Sequence, residues 1–306
     1  MNISVYITSY NQRGLLVEAI ESVLAQTLPP AQIIVIDDCS TDGSQDLIRA
    51  YADKYPDLIT AIYHTRNQGI PQTRNDALCA VPGDYVTCLD GDDRYLPTKL
   101  EKDVFFLEQN PEAQIVYSNH YRISEDGTRI GQWVNGEKMP QGNIFSEIIT
   151  KALPRGQNLA YFMAHYKSWR DTGFYDPKLL RGSDYEVSIR LTKRCRVVYC
   201  DEPISEYRKD PNRPTRGLPE SERLARSFYV YQKNLHLLDD LVETERSYIE
   251  KQLFKIMKKQ AKRAAEEILQ SDSAGDQTKA EASQFYQQAL RDIYALFPMI
   301  GRLNTT

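Results

Sequence analysis

The residues best suited to chemistry are the carboxylates of Asp90-Gly91-Asp92-Asp93, which follow the run Tyr85-Val86-Thr87-Cys88-Leu89. Carboxylates one residue apart at a strand end can share a hard divalent cation, which takes oxygen ligands and completes its shell with substrate phosphates. Such a cation neutralises the charge that builds on a departing diphosphate. A second acidic cluster, Asp37-Asp38-Cys39-Ser40, follows Ile33-Ile34-Val35-Ile36 and can accept hydrogen bonds from a nucleobase imide or a ribose hydroxyl. The segment Asn67-Gln68-Gly69-Ile70-Pro71-Gln72-Thr73-Arg74-Asn75 places Arg74 early in a predicted helix, where guanidinium and helix terminus can both face phosphate. Taken singly, the D-x-D run could be a solvated acidic turn and Asp37-Asp38 a capping cluster. In one another's company these plainer readings lose ground.

The elements that must position these residues alternate between strand and helix. Ile3–Ile7 is a β-branched and aromatic run that ends in the turn Ser9-Tyr10-Asn11, with Asn11 as a helix N-cap. Leu16, Ile20, Val23, Leu24 and Thr27 then fall on one helical face until Pro29-Pro30 stops it. Ile33–Ile36 reads as a strand buried on both faces. A helix to about Lys54, a strand near Leu58–His64, a helix near Pro71–Ala80 and a strand Asp84–Leu89 continue the pattern. Short connections between alternating elements imply an α/β fold with a mostly parallel sheet covered by helices. Ligands bind such sheets beyond the carboxyl ends of the strands. Thr8-Ser9-Tyr10, Asp37-Asp38 and Asp90–Asp93 all lie there.

Farther on, Ser118–Gly142 reads as a hairpin or loop excursion, Ser183–Lys193 as a helix, Arg196–Cys200 as a strand and Pro203–Gly217 as a loop. From Pro219 the composition shifts to helix formers. In that tail Ile249, Leu253, Ile256, Met257, Ala264 and Ile268 lie near one stripe, with Lys251, Lys255, Lys258, Lys259, Lys262 and Arg263 elsewhere. A basic amphipathic helix can lie on an anionic membrane, or it can pack on its own domain or a sister subunit.

Composition removes several classes. Of the 306 residues, Lys and Arg number 38 against 42 Asp and Glu, so the balance gives no support for a nucleic-acid partner. Five scattered cysteines without C-x-x-C spacing point to a reduced, cytoplasmic protein rather than a disulfide framework or zinc site. The N-terminus has no basic leader before an apolar run, and no apolar run approaches the ~18 residues of a membrane span. The four histidines show no ligand spacing. Neither G-x-G-x-x-G nor G-x-x-x-x-G-K-[ST] is present, against a dinucleotide oxidoreductase and a P-loop NTPase.

Taken in order, Ile7-Thr8-Ser9-Tyr10-Asn11, Ser22-Val23-Leu24-Ala25-Gln26-Thr27, Asp37–Asp42, Asn67-Gln68-Gly69, Arg74-Asn75 and Asp90–Asp93 resemble glycosyltransferase family 2. The resemblance is specific over about residues 1–110, looser over 111–210 and absent after 218. It implies the A-type glycosyltransferase fold, with residues 1–110 as the nucleotide-sugar-binding half, 111–217 as the acceptor and catalytic half, and 218–306 as a helical C-terminal region. It implies transfer of a sugar from a nucleoside-diphosphate donor, UDP foremost, to a glycan, lipid-linked or other hydroxyl acceptor, with inversion and with Mg2+ or Mn2+. Thr8, Tyr10 and Asp38 would contact the nucleoside and Arg74 a phosphate or the base. Asp90 and Asp92 would form the D-x-D pair, with Asp92 or Asp93 as the direct metal ligand.

By the same resemblance, Gly182-Ser183-Asp184-Tyr185-Glu186 is the acidic helix start that carries the general base. Asp184 matches the base position and Glu186 is the fallback, with Ser183 where glutamate is common. The plain alternative for Asp184 is helix capping. Two departures stand out. Cys39 occupies a usual glycine position, and Tyr207-Arg208-Lys209-Asp210 puts an aspartate where the family often has histidine. Arg208, Arg213 and Arg216 would close over phosphates or remain surface basics.

Two rivals remain. A catalytically silent binding or scaffold protein on the same fold is one, since fold does not fix function, but every motif carboxylate is retained. A nucleotidyltransferase is the other, and it should carry a basic glycine-rich loop that Ser9–Gly14 does not match. The expected place of work is the cytoplasm, with peripheral contact at the inner face of the membrane or homo-oligomerisation through the C-terminal helices.

Overall fold

The computed structural model describes residues 2–154, 159, 161–209, 218–270 and 276–303. The chain divides into two compact units, Met1–Pro211 and Asn212–Thr306.

The first unit is a nine-stranded sheet between helices. Its opening half comprises β1 (Ile3–Ser9), α1 (Arg13–Leu24), β2 (Gln32–Asp37), α2 (Ser44–Lys54), β3 (Ile59–Tyr63), α3 (Ile70–Cys79) and β4 (Tyr85–Asp90). Strands β3, β2, β1 and β4 lie side by side and parallel, as the alternating pattern requires. All seven residues of β1 are buried, and so are Ile33–Asp37 of β2, because helices cover both faces. On α1, Leu16, Ala19, Ile20 and Val23 are fully buried. Truncating any of the three larger ones to alanine would cost about 2–5 kcal/mol if the cavity stayed open.

Asn11 does not cap α1. The N-cap is Gln12, and Asn11 has a left-handed φ of 51°. Its carboxamide oxygen instead accepts from the Thr41 N–H at 2.8 Å, while Asp42 accepts from the Arg13 N–H at 2.8 Å. The first turn of α1 is thus capped by the loop after β2, which fixes the two loops against each other.

The second half comprises β5 (Arg94–Tyr95), α4 (Lys99–Gln109), β6 (Ile115–Ile123), β7 (Arg129–Gln132), α5 (Phe145–Ile149), β8 (Met163–His165), α6 (Tyr166–Thr172), α7 (Ser183–Arg194) and β9 (Val197–Arg208). Here the sheet is mixed: β8 runs antiparallel to β4 and β6, while β6 and β9 are parallel. The expected loop beginning at Pro203 is instead the continuation of β9. Proline cannot donate to a ladder, and the register shifts around Asn119, opposite Pro203, absorb that defect. The hairpin excursion starts later than expected, since β6 runs on to Ile123.

The second unit holds α8 (Glu220–Asn234), α9 (Glu243–Leu269), α10 (Asp276–Leu296) and α11 (Pro298–Leu303). Helix α9 packs between α8 and α10, burying Ile249, Leu253, Phe254, Met257, Ala261 and Ala264. Its apolar stripe therefore belongs to the interior of this helical unit. Among the described residues, no helix is long and apolar enough to cross a membrane.

Candidate active site

The site is built where β1, β2 and β4 end. Parallel pairing sets Thr8 opposite Asp90 and Ser9 opposite Asp37. The Thr8 hydroxyl donates to Asp90 Oδ1 at 3.2 Å. The chain then turns at Gly91, whose N–H donates to the Thr8 carbonyl at 2.9 Å. A Cβ at Gly91 would stand 2.8 Å from that carbonyl oxygen, so this close approach requires glycine. The turn gathers carboxylate oxygens of Asp90, Asp92 and Asp93 within 4.8 Å of one another.

Asp93 is fully buried. The Arg208 N–H donates to its Oδ1 at 2.6 Å, and the Tyr161 hydroxyl donates to its Oδ2. Burial, with Asp92 and Asp90 adding like charge, pushes its carboxyl well above the usual range despite these two bonds. Three crowded carboxylates, one of them hard to ionise, form an oxygen set that a divalent cation would relieve.

Arg208 is committed inside the protein. Its Nε donates to the Asp92 carbonyl at 2.8 Å, Nη1 to the Glu125 carbonyl at 2.6 Å and Nη2 to Glu18 at 2.8 Å. This side chain braces the acidic turn from below instead of reaching over phosphates. Asp210, Arg213 and Arg216 lie outside the described residues.

Arg74 is the hub. It sits in the first turns of α3, which starts after Gly69 at a φ of 83°. The guanidinium is buried beside the Tyr175 ring, 5.4 Å from its centroid. Nη2 donates to Asp90 Oδ1 at 2.8 Å and Nη1 to Asp184 Oδ1, while Nε is buried without a partner. Burial pulls the Arg74 pKa down, but Asp184 and Asp90 outweigh it and the group is held charged.

Asp184 lies in the first turn of α7 with its side chain 45% exposed. The N-cap there is Gly182, and no side chain caps the helix. Glu186 is buried, and Arg190 donates to it through Nε at 2.8 Å and Nη2 at 2.9 Å. That arginine also donates to the carbonyls of Thr172, Gly173 and Phe174. The fallback carboxylate is thus occupied in tying α7 to the end of α6.

Asp38 accepts from the N–H groups of Gln68 at 2.8 Å and Gly69 at 2.9 Å, and pairs with His64 Nδ1 at 2.7 Å. Its carboxylate therefore shapes the loop that delivers Arg74. His64, a structural histidine, is buried between Asp38 and Asp76. Asp37 is fully buried and accepts from the Ser40 N–H at 2.8 Å. Cys39 adopts a φ of 69°, where a side chain costs roughly 1–3 kcal/mol, which explains why glycine suits this position. Tyr10, in the turn after β1, is 48% exposed.

The sequence pattern missed Tyr161 and Tyr175, which reach the site from the second half. Near Tyr161, His120 stacks on Trp133 with centroids 5.2 Å apart and meets Tyr161 at 5.5 Å and Tyr207 at 5.7 Å. Burial, helped by Arg122, lowers the His120 pKa to about 3, so this aromatic wall is neutral.

Comparison with known proteins points the same way as the geometry. The sequence model described as Glycosyl transferase family 2 matches residues 4–167. The chain is 35% identical over 133 residues to TuaG of Bacillus subtilis, named for teichuronic acid biosynthesis; the match spans 44% of this chain and 52% of TuaG, about half of that relative's length. An uncharacterized glycosyltransferase of Methanocaldococcus jannaschii is 30% identical over 69% of this chain and 71% of its own. Among solved structures, S. aureus TarS 1-349 in complex with UDP-GlcNAc superposes with a TM-score of 0.70 at 16% identity, covering 97% of this chain and 84% of that one.

Proposed function

This chain belongs to glycosyltransferase family 2, and from that membership we propose that it transfers a hexosyl group from a UDP-sugar to an acceptor hydroxyl, with inversion at the anomeric carbon. The observation that carries the reading is the Arg74 bridge. One guanidinium joins the first carboxylate of a cation-binding cluster to a half-exposed carboxylate at a helix start. A likeness to TarS with UDP-GlcNAc supports a UDP donor, and the likeness to TuaG supports a glycopolymer acceptor, free or lipid-linked.

The acidic turn suits Mg2+ or Mn2+, which Asp92 and Asp93 would hold beside Asp90. When bound, such an ion stabilises negative charge on the leaving diphosphate. Arg208 and Tyr161 keep the turn in shape from the protein side. Thr8 and Tyr10 would border the nucleoside, and Asp38 would act on it through the loop it anchors.

Asp184 would accept the proton of the attacking hydroxyl, since a neutral hydroxyl is a poor nucleophile. Before the donor arrives, one oxygen of Asp184 is engaged by Arg74. A donor diphosphate offers that guanidinium a third anion beside Asp90 and Asp184, and competition for it releases Asp184 toward the acceptor. Donor before acceptor is the binding order that follows.

Calorimetry with UDP, with and without Mn2+, tests the core of this reading. Affinity should rise with Mn2+, and Asp92→Ala should abolish the gain. Equal affinity in all four titrations sinks the assignment.

A further inference from the structure

The helical unit carries a charge pattern that sugar transfer does not use. With 3.6 residues per turn, Lys251, Lys255, Lys258, Lys259, Lys262 and Arg263 fall within an arc of roughly 140°. That arc is centred about opposite the buried stripe of α9, and all six residues are exposed. They span ~18 Å of helix, and residues 251–263 include no aspartate or glutamate.

Lys262 pairs with Glu266 at 3.6 Å. Among the described residues, the other five have no carboxylate partner. The exposed Lys167, by contrast, pairs with Asp171, and the half-buried Lys102 and Arg226 pair with Glu202 and Glu222. The chain as a whole has a net charge of −4, so the basic face is segregated charge and not a by-product of composition.

We propose that this face of α9 is an electrostatic docking surface for an anionic lipid leaflet. Five of its six cations are lysines, compact hydrated charges that suit a diffuse array of headgroups; bidentate recognition of one phosphate calls for arginine. A row of charges along one helix also presents a flat face. The apolar residues that would let an amphipathic helix sink into a bilayer are already spent on α8 and α10. Contact therefore stays at headgroup level and depends on charge alone, so salt should weaken it within the physiological range.

Co-sedimentation of the full chain with phosphatidylcholine vesicles, with and without phosphatidylglycerol, tests it. Binding is expected only with the anionic lipid at low salt, and added salt should reverse it. Replacing Lys255, Lys258, Lys259 and Lys262 by glutamine should weaken partitioning roughly 100-fold or more, with circular dichroism unchanged. Replacing the same four by arginine should preserve it, because only charge is read. Equal binding to neutral vesicles, unchanged binding of the glutamine variant, or no binding at low salt overturns the proposal. Retention on dextran sulfate without vesicle binding also overturns it, and assigns the face to a soluble polyanion.

Discussion

Arg74 and Lys99 are both buried cations, both held by carboxylates, and both anchored on β4, yet their surroundings differ in one decisive respect. Lys99 and Asp103 are each 0% exposed. Lys99 Nζ donates to Asp103 and, at 3.1 Å, to Thr87, and lies 4.9 Å from the centroid of the Tyr95 ring. Arg74 is just as enclosed, at 7%, but its carboxylates are not: Asp90 is 33% exposed and Asp184 45%. Thr87 and Asp90 are three residues apart, so they face opposite sides of the strand. On one side the pair is sealed and can exchange with nothing. On the other, the anions reach solvent and an incoming diphosphate can compete for the same guanidinium. Burial of a cation does not mark a site by itself; the exposure of its partners does.

The largest expected effect falls on the sealed pair. Asp103→Ala leaves Lys99 charged and enclosed, which should cost about 3–5 kcal/mol in urea denaturation. Replacing both, Lys99→Met with Asp103→Leu, should be neutral within about 1 kcal/mol or stabilising. A loss under ~1 kcal/mol for Asp103→Ala would mean that Lys99 finds water, and the contrast with Arg74 would collapse.

The pH dependence of the same pair has a definite sign. Burial pushes Asp103 up to about 6, even against the opposing pull of Lys99, and its Oδ1 has no hydrogen-bond partner. The unfolded carboxylate titrates at roughly 4, so between these values the native state holds the extra proton. The contribution of this group is fully present below pH ~4 and is lost as pH rises through about 6. Asp103→Asn should flatten that part of the stability profile.

The open pair should respond in function instead. Asp184→Asn should leave denaturation midpoint and UDP affinity nearly unchanged while transfer falls ~100-fold or more, the range for loss of a general base. Unchanged transfer would move the base elsewhere, although Glu186 is already held by Arg190. Loss of stability and of UDP binding together would make Asp184 a structural partner of Arg74, in the same class as Asp103.

These contrasts show what a linear pattern can and cannot carry. The parallel half was legible because β1 and β2 are buried on both faces, which leaves a β-branched and aromatic run in β1 and a continuous apolar run in β2, each ending in a polar cluster. The turn Asp90–Asp93 was legible because its closely spaced carboxylates follow the strand-like run Tyr85–Leu89. The supports were not. Tyr161 reaches Asp93 across 68 residues and Arg208 reaches Glu18 across 190, and no local periodicity encodes either. Proline at 203 reads as a loop, yet β9 passes through it because the register of β6 yields there. In the tail, the stripe on α9 was visible as a stripe; that α8 and α10 cover it depends on packing that the stripe alone does not specify.

The finest test of the comparison is Arg74→Lys, which keeps the charge and removes the fork. A lysine ammonium is a single point on a flexible stem and cannot hold Asp90 and Asp184 in the fixed geometry of two guanidinium nitrogens. Because Arg74 is enclosed by the Tyr175 ring, the substitution also leaves space beside that ring. If the bridge were only structural, the cost would appear as a lower denaturation midpoint with UDP affinity intact. If the guanidinium is the group that a diphosphate takes over, one charged hydrogen bond is lost in the complex. That loss is worth about 1.5 kcal/mol, and UDP affinity should fall roughly tenfold. The transfer rate should fall with it, because Asp184 is no longer held in register with the acidic turn. Calorimetry with UDP beside urea denaturation of the same variant separates the two outcomes, and intact affinity with lowered stability would put Arg74 in one class with Lys99.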